Sequence, residues 1–299
     1  MGAISEALTL RAGVLEVGLV PAIGGSVSAM RWRGMDLMRR LSDDDRDAGN
    51  VLGVAMFPMV PYANRIAGNA FDFGTRRWQV LPNNPPETFN VHGSGWKQRW
   101  TVARTGAVAA TLALEVAAGA EPYSYRAEQA FVISEEGLSV TMTLTNTGSV
   151  AMPFGFGLHP WFDRDPDVTL QFGARRFYLE EPEGVSGYPI TLPAELDFAD
   201  ARPLPNGWRN NDYGGWNGEA ILRVPSRGVG LFIKADPVFK HLMLYADPTK
   251  PYFCLEPQTN ASGAFNRGRW SDPEEGVIVL GPGGSAAGAV SFAPFALAS

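Results

Sequence analysis

Cysteine is all but missing: Cys254 is the only one in 299 residues. No intrachain disulfide can form, which fits a reducing, cytoplasmic setting. Histidine is scarce as well, limited to His92, His159 and His241. None of the three sits in an HxH or HExxH pattern, and Cys254 is not part of a CxxC, so no metal is expected. A P-loop and a GxSxG elbow are also lacking, which removes two common routes to phosphate binding and to a hydrolytic nucleophile. No run of about 18 apolar residues occurs, so no membrane-spanning helix is expected. The stretch MGAISEALTL lacks a basic segment followed by an apolar one, and no signal peptide is expected. The C-terminal stretch 277–299 has little charge, but its glycines and prolines make it a poor transmembrane helix. An excess of positive charge is missing too. The formal net charge is −6 and the pI about 5.2, which argues against nucleic acid or an anionic membrane as partner.

What is present points to a large β-protein. Hydrophobic residues make up 45% of the chain, enough for a sizeable core. The 34 Gly and 23 Pro are spread throughout and predict many turns rather than long helices. In Leu138–Asn146, Leu138, Val140, Met142 and Leu144 alternate with Ser139, Thr141, Thr143 and Thr145, the pattern of a half-buried strand. Val14–Val20, Thr111–Val116, Phe131–Ile133 and Val229–Ala235 also read as strands. Glu135–Gly137 and Pro225–Gly228 read as turns, and the acidic run Asp43–Asp47 as a solvated loop. No repeat, low-complexity tract or linker divides the chain. The expected architecture is all-β, a large antiparallel β-sandwich over residues 1–299 as one domain.

Two segments carry candidate chemistry. In Pro153–Asp163, an extended chain puts Phe154, Phe156 and Leu158 on one face and Gly155, Gly157 and His159 on the other. Two glycines beside a histidine leave room for a ligand near the backbone, although a core histidine fits the same pattern. Pro160 biases His159 away from the helical region. In Pro251–Asn260, Tyr252, Cys254 and Glu256 share a face, with Phe253 and Leu255 opposite. A carboxylate after an apolar strand is costly to bury unpaired, and burial would make it a stronger base; a salt bridge or exposed strand end is the alternative. Arg65 in PYANRIAG and His92 and Trp96 in NVHGSGW add polar and aromatic groups of the kind that suit a sugar, although taken singly Arg65 reads better as a surface salt bridge and Trp96 as a core residue. His241, among apolar residues, reads as structural.

Taken in order, VPAIGGSVSAMRWRGMDL, FPMVPYANRIAGNAFDF, NVHGSGW, GFGLHPWF, GGWNG, CLEPQTNASGAFN and LGPGG resemble the aldose 1-epimerase (galactose mutarotase) family. The resemblance implies a β-supersandwich with a cleft, no metal or redox cofactor, and a monosaccharide substrate. It implies Glu256 as general base and His159 as general acid, with Arg65 and His92 as substrate ligands. Where the family carries an aspartate three residues before an aromatic, this chain has Asn210 before Tyr213, with Asp212 two positions on. Either could meet the sugar. A phosphorylated substrate would need an arginine cluster at the cleft, from Arg39 and Arg40 or Arg175 and Arg176. A glycosidase would want a second carboxylate. A non-catalytic sugar-binding protein would need Arg65, His92 and the aromatics, but not an acid and a base placed together. The sequence carries no signal for oligomeric state.

Overall fold

Alternation of apolar residues builds two large antiparallel sheets. The computed structural model describes residues 7–298; residues 1–6 of MGAISEALTL, and with them most of the segment read for a signal peptide, lie outside it. The first sheet runs, in spatial order, through Leu8–Ala12, Leu15–Val20, Ser26–Trp32, Met56–Met59, Gly157–Asp163, Tyr252–Gln258, His241–Ala246, Arg209–Gly214, Arg176–Glu180 and Ser186–Thr191. The second runs through Thr101–Thr105, Ala109–Val116, Tyr125–Ser134, Gly137–Asn146, Ser285–Ala296, Val229–Ala235, Glu219–Val224, Thr169–Phe172 and Arg202–Pro203. This is the expected antiparallel β-sandwich. No helix among the described residues is long and apolar enough to cross a membrane.

The predicted strands coincide with observed ones, except that Val14 lies in the turn before Leu15–Val20. Gly137–Asn146 alternates strictly, with Leu138, Val140, Met142 and Leu144 buried in the main core. Glu135 and Glu136 form a turn, and Pro225–Arg227 is a single 3-10 turn ended by Gly228 at φ 62°. The run Asp43–Asp47 departs from expectation: it is a short helix, not a loop. Ser42 Oγ accepts a hydrogen bond from the Asp45 amide at 3.0 Å, and three aspartates occupy the first turn, where the helix dipole favours negative charge.

The middle of the first sheet is buried on both faces, and this positions the site. Leu158, Phe162, Leu242, Leu244, Phe253 and Leu255 point into the core between the sheets. Their neighbours along the strands point the other way, where Phe57, Met59, Trp161 and Cys254 join Trp96 in a second apolar cluster. The period of two thus sends one set of residues to stability and the alternate set to a covered outer face.

The glycines beside His159 have a different role from the one read in sequence. A Cβ on Gly155 would lie 2.0 Å from Asn260 Oδ1, and one on Gly157 2.5 Å from Met59 Cε. Protein atoms, not a ligand, fill the space. Asn260 Oδ1 accepts from the Ala63 amide at 3.1 Å and its Nδ2 donates to the Ala63 carbonyl at 3.0 Å, so Gly155 lets one strand grip the loop that carries Arg65. Gly155→Ala is expected to destabilise the protein by about 1–3 kcal/mol through overpacking, read as a lower urea midpoint. An unchanged midpoint would contradict this close approach.

Candidate functional site

The catalytic candidates meet because of strand register. Gly157 lies opposite Gln258 and Trp161 opposite Cys254, which sets His159 opposite Glu256. Phe57 is opposite His159 on the other side, and Met243 is opposite Glu256. Directly opposed residues of an antiparallel pair point to the same face. One cross-strand row therefore reads Phe57, His159, Glu256, Met243, and the next reads Trp161, Cys254, Tyr245, Asn210. Except for Cys254, every member of the two rows lines one cavity of about 240 Å³, together with Arg65, His92, Trp96 and Tyr252. That is small beside the pockets that hold drug-sized ligands, and of a scale for one small polar molecule.

His159 Nε2 stands 3.2 Å from Glu256 Oε1, and both side chains are buried. The imidazole is sandwiched between Phe57 and Trp161, with ring centroids at 4.4 and 4.8 Å. Among the described residues no other side chain or backbone group hydrogen-bonds the Glu256 carboxyl. Burial pushes that carboxyl well above its ordinary range, opposed by the charge of Arg65 and aided by Asp212. Burial also drives the His159 imidazole down to about 3, with Arg39 adding to the effect. Burial thus disfavours the charged form of each group.

His92 is set by a backbone clamp. Its Nδ1 accepts from the Asn64 amide at 3.1 Å, and its own amide donates to the Asn64 carbonyl at 2.9 Å. The clamp holds two non-glycine residues in the left-handed region, Asn64 at φ 62° and His92 at φ 60°. Burial and the neighbouring His159 push His92 well below its ordinary range, so the ring is neutral. With Nδ1 accepting, the proton must sit on Nε2, where it can be donated to a ligand. One nitrogen or oxygen from each of His92, His159 and Glu256 lies within 4.8 Å of the others, a spacing a metal could use. A metal on His92 Nε2 would need the lone pair there and a proton on Nδ1, facing the Asn64 amide hydrogen. The donor set is arranged for hydrogen bonding instead.

The remaining predicted residues divide. Arg65 lines the cavity, and Glu87 holds it in a two-pronged ion pair with both contacts at 3.0 Å. Asn210 lines the cavity as well. Asp212 does not, and the expectation that it could meet the sugar is corrected. Its side chain is fully buried, with Oδ1 3.0 Å from His241 Nδ1 and Oδ2 accepting from the Ser262 amide at 3.0 Å. His241, read as structural, is completed by the Glu274 carbonyl at 2.9 Å from Nε2. From there the network reaches the site: Ser262 Oγ donates to Asn64 Oδ1 at 2.9 Å. Trp96 is fully buried behind Phe57, its indole N–H donating to the Val91 and Gly93 carbonyls, so it supports the wall rather than offering a free face.

Sequence reasoning missed Phe57, Trp161, Tyr245 and Glu87. Trp161 was within reach, since it lies two residues from His159 on the same face of the strand. Of the arginines considered for a phosphate, Arg39 lies over the Trp161 and Tyr252 rings at 4.3 and 4.6 Å and donates to the Val54 and Leu52 carbonyls. Arg40 lies in a separate surface cleft, and Arg175 and Arg176 pair with Glu274 away from this cavity.

An all-β sandwich carries an apposed carboxyl and imidazole in one small cavity. The aldose 1-epimerase family profile matches residues 7–293. The chain belongs to that family. It is 34% identical over 278 residues to the uncharacterized protein YphB of Escherichia coli (strain K12), covering 90% of this chain and 92% of that one. A crystal structure from Escherichia coli K12, described as a candidate aldose 1-epimerase, superposes with a TM-score of 0.90 at 30% identity, over 98% and 99% of the two chains. A GalM/aldose epimerase homologue from C. elegans shares the fold, with a TM-score of 0.83 at 16% identity over 98% and 100% of the chains.

The raised Glu256 carboxyl has a consequence for stability. A folded-state value above the unfolded one of about 4.3 means the contribution is whole below that pH and is lost as pH rises. Glu256→Gln removes the loss. Its urea midpoint is expected to match the native protein near pH 4 and to exceed it increasingly toward pH 7, by up to about 1.4 kcal/mol per pH unit. A midpoint difference independent of pH would mean that Glu256 is ionised in the fold.

Proposed function

We propose that this protein is an aldose 1-epimerase that interconverts the α and β anomers of a free, unphosphorylated monosaccharide. The observation that carries the reading is the 3.2 Å apposition of His159 and Glu256, both buried on the floor of a cavity sized for one small polar molecule. Binding alone needs no such pair, whereas anomer exchange needs one group to take a proton and another to give one. The cavity's Arg65 is already neutralised by Glu87, and Arg39 is committed to carbonyls and rings, which favours a neutral sugar over a phosphorylated one.

The chemistry follows from one shared proton. Transfer of that proton from Glu256 to His159 across their contact gives a carboxylate and an imidazolium, a form that the sugar hydroxyls help to solvate. The carboxylate takes the proton of the C1 hydroxyl while the imidazolium protonates the ring oxygen, and the C1–O5 bond breaks to the open-chain aldehyde. After rotation about C1–C2, Glu256 returns its proton to the former carbonyl oxygen and His159 takes back the other as the ring closes. His92, donating from Nε2, and Arg65 hold the hydroxyls during the turn. Each positioned acid or base can supply about 10²–10⁴-fold.

Polarimetry or NMR on fresh α-glucose, α-galactose, xylose and arabinose tests the reading; failure to speed any of them would overturn it. Glu256→Gln and His159→Asn are each expected to lower kcat at least about 10²-fold, with the double variant little worse than the worse single one. Additive losses would mean the two act separately. The acid side of the pH profile offers an independent check. His159 gains a second proton only near its depressed value of about 3, so kcat should hold down to about pH 5. A fall centred between about 6 and 7 would show an imidazole titrating at its ordinary value.

A further inference from the structure

Asn210 stands where the family resemblance leads one to expect an aspartate, and its surroundings explain how an amide can serve there. It lies on the strand Arg209–Gly214, next to Arg176–Glu180. Arg176 opposes Gly214 and Tyr178 opposes Asp212, and just past this ladder the Glu180 and Asn210 side chains meet. Asn210 Nδ2 donates to Glu180 Oε1 at 2.7 Å, and the Trp208 indole N–H donates to Glu180 Oε2 at 2.6 Å. A carboxylate only accepts, so it fixes which end of the amide faces it. Glu180 is not part of the cavity wall, while Asn210 is. The amide nitrogen is therefore turned away from the cavity and the carbonyl oxygen toward it.

We infer that Glu180 is a specificity-setting, positioning residue: it holds Asn210 as a one-way acceptor for a sugar hydroxyl and pins Trp208 at the rim. The inference rests on the functional reading above and adds to it a residue that the sequence did not single out. Asn210 and Glu180 together act as a divided aspartate, with the accepting oxygen in the cavity and the negative charge one residue behind it. Trp208 is 47% exposed and meets Tyr245, a cavity residue, edge to face at 5.5 Å, so the same carboxylate fixes a wall and a rim. The sugar hydroxyl that reaches Asn210 must donate its hydrogen.

The logic of donors and acceptors supplies a reciprocal test. In Glu180→Gln one of the two donors, Asn210 or Trp208, must face an amide NH2. In Asn210→Asp two carboxylates meet at the position of a hydrogen bond. In the double variant, the amide introduced at 180 donates to the carboxylate introduced at 210, and its oxygen accepts from Trp208, so every group is again satisfied. With a panel of aldoses followed by polarimetry, each single variant is expected to raise KM about 5–10-fold for the best substrate, with kcat within about 2-fold. The double variant is expected to return KM to within about 2-fold of the native value. Unchanged KM in both single variants, or a double variant as impaired as the product of the singles, would overturn the clamp while leaving the epimerase reading intact. Inactivity of the native protein on every aldose would defeat both. Should a single variant fail to fold, the double variant alone decides: native-like KM supports the clamp and a raised KM refutes it.

Discussion

The site depends on one cross-strand pairing in the centre of a sheet, His159 facing Glu256. Two titratable groups are placed where water is largely excluded, and among the described residues neither has another ionic partner within contact. Burial of an unpaired charge is expensive, so each group is pushed toward its neutral form. The result is a carboxyl and an imidazole in contact at 3.2 Å, each held away from its charged form.

The rest of the cavity is built to keep that pair in place. Phe57 and Trp161 grip the imidazole from both sides, leaving it little freedom to turn. The loops that cover this face are tied down by hydrogen bonds that satisfy buried backbone groups, the strongest constraint on any covered loop. Asn260 holds the Ala63 backbone, and Asn64 and His92 hold each other in left-handed conformations. Behind them the Asp212–His241 pair connects through Ser262 to Asn64. Asp212 thus braces Asn64, the partner of His92, from a distance, and its charge also adds to the upward push on Glu256.

Much of this was legible before the fold was known. Period-2 alternation located the strands, because a half-buried strand has to sort its side chains by face. It also placed Tyr252, Cys254 and Glu256 on one side and Phe253 and Leu255 on the other, as found. The readings that failed share a cause. The glycines beside His159 looked like room for a ligand and proved to be room for Asn260 and Met59. Asp212 looked like an alternative to Asn210, yet partners from distant segments consume both its oxygens. The acidic run at Asp43–Asp47 looked like a loop, and capping by Ser42 made it a helix.

The sequence by itself determined the class of fold, the residue types of the site and the membership that the ordered motifs announced. Those depend on local pattern and composition, which the chain carries along its length. Only the tertiary structure decided which of these residues meet. Register between strands far apart in sequence set His159 against Glu256, and a slip by one residue would have sent either to the opposite face; a side-chain hydrogen bond joins Glu180 to Asn210. The electrostatics followed from the same decision, since burial, and not residue type, pushes the Glu256 carboxyl up and the His159 imidazole down.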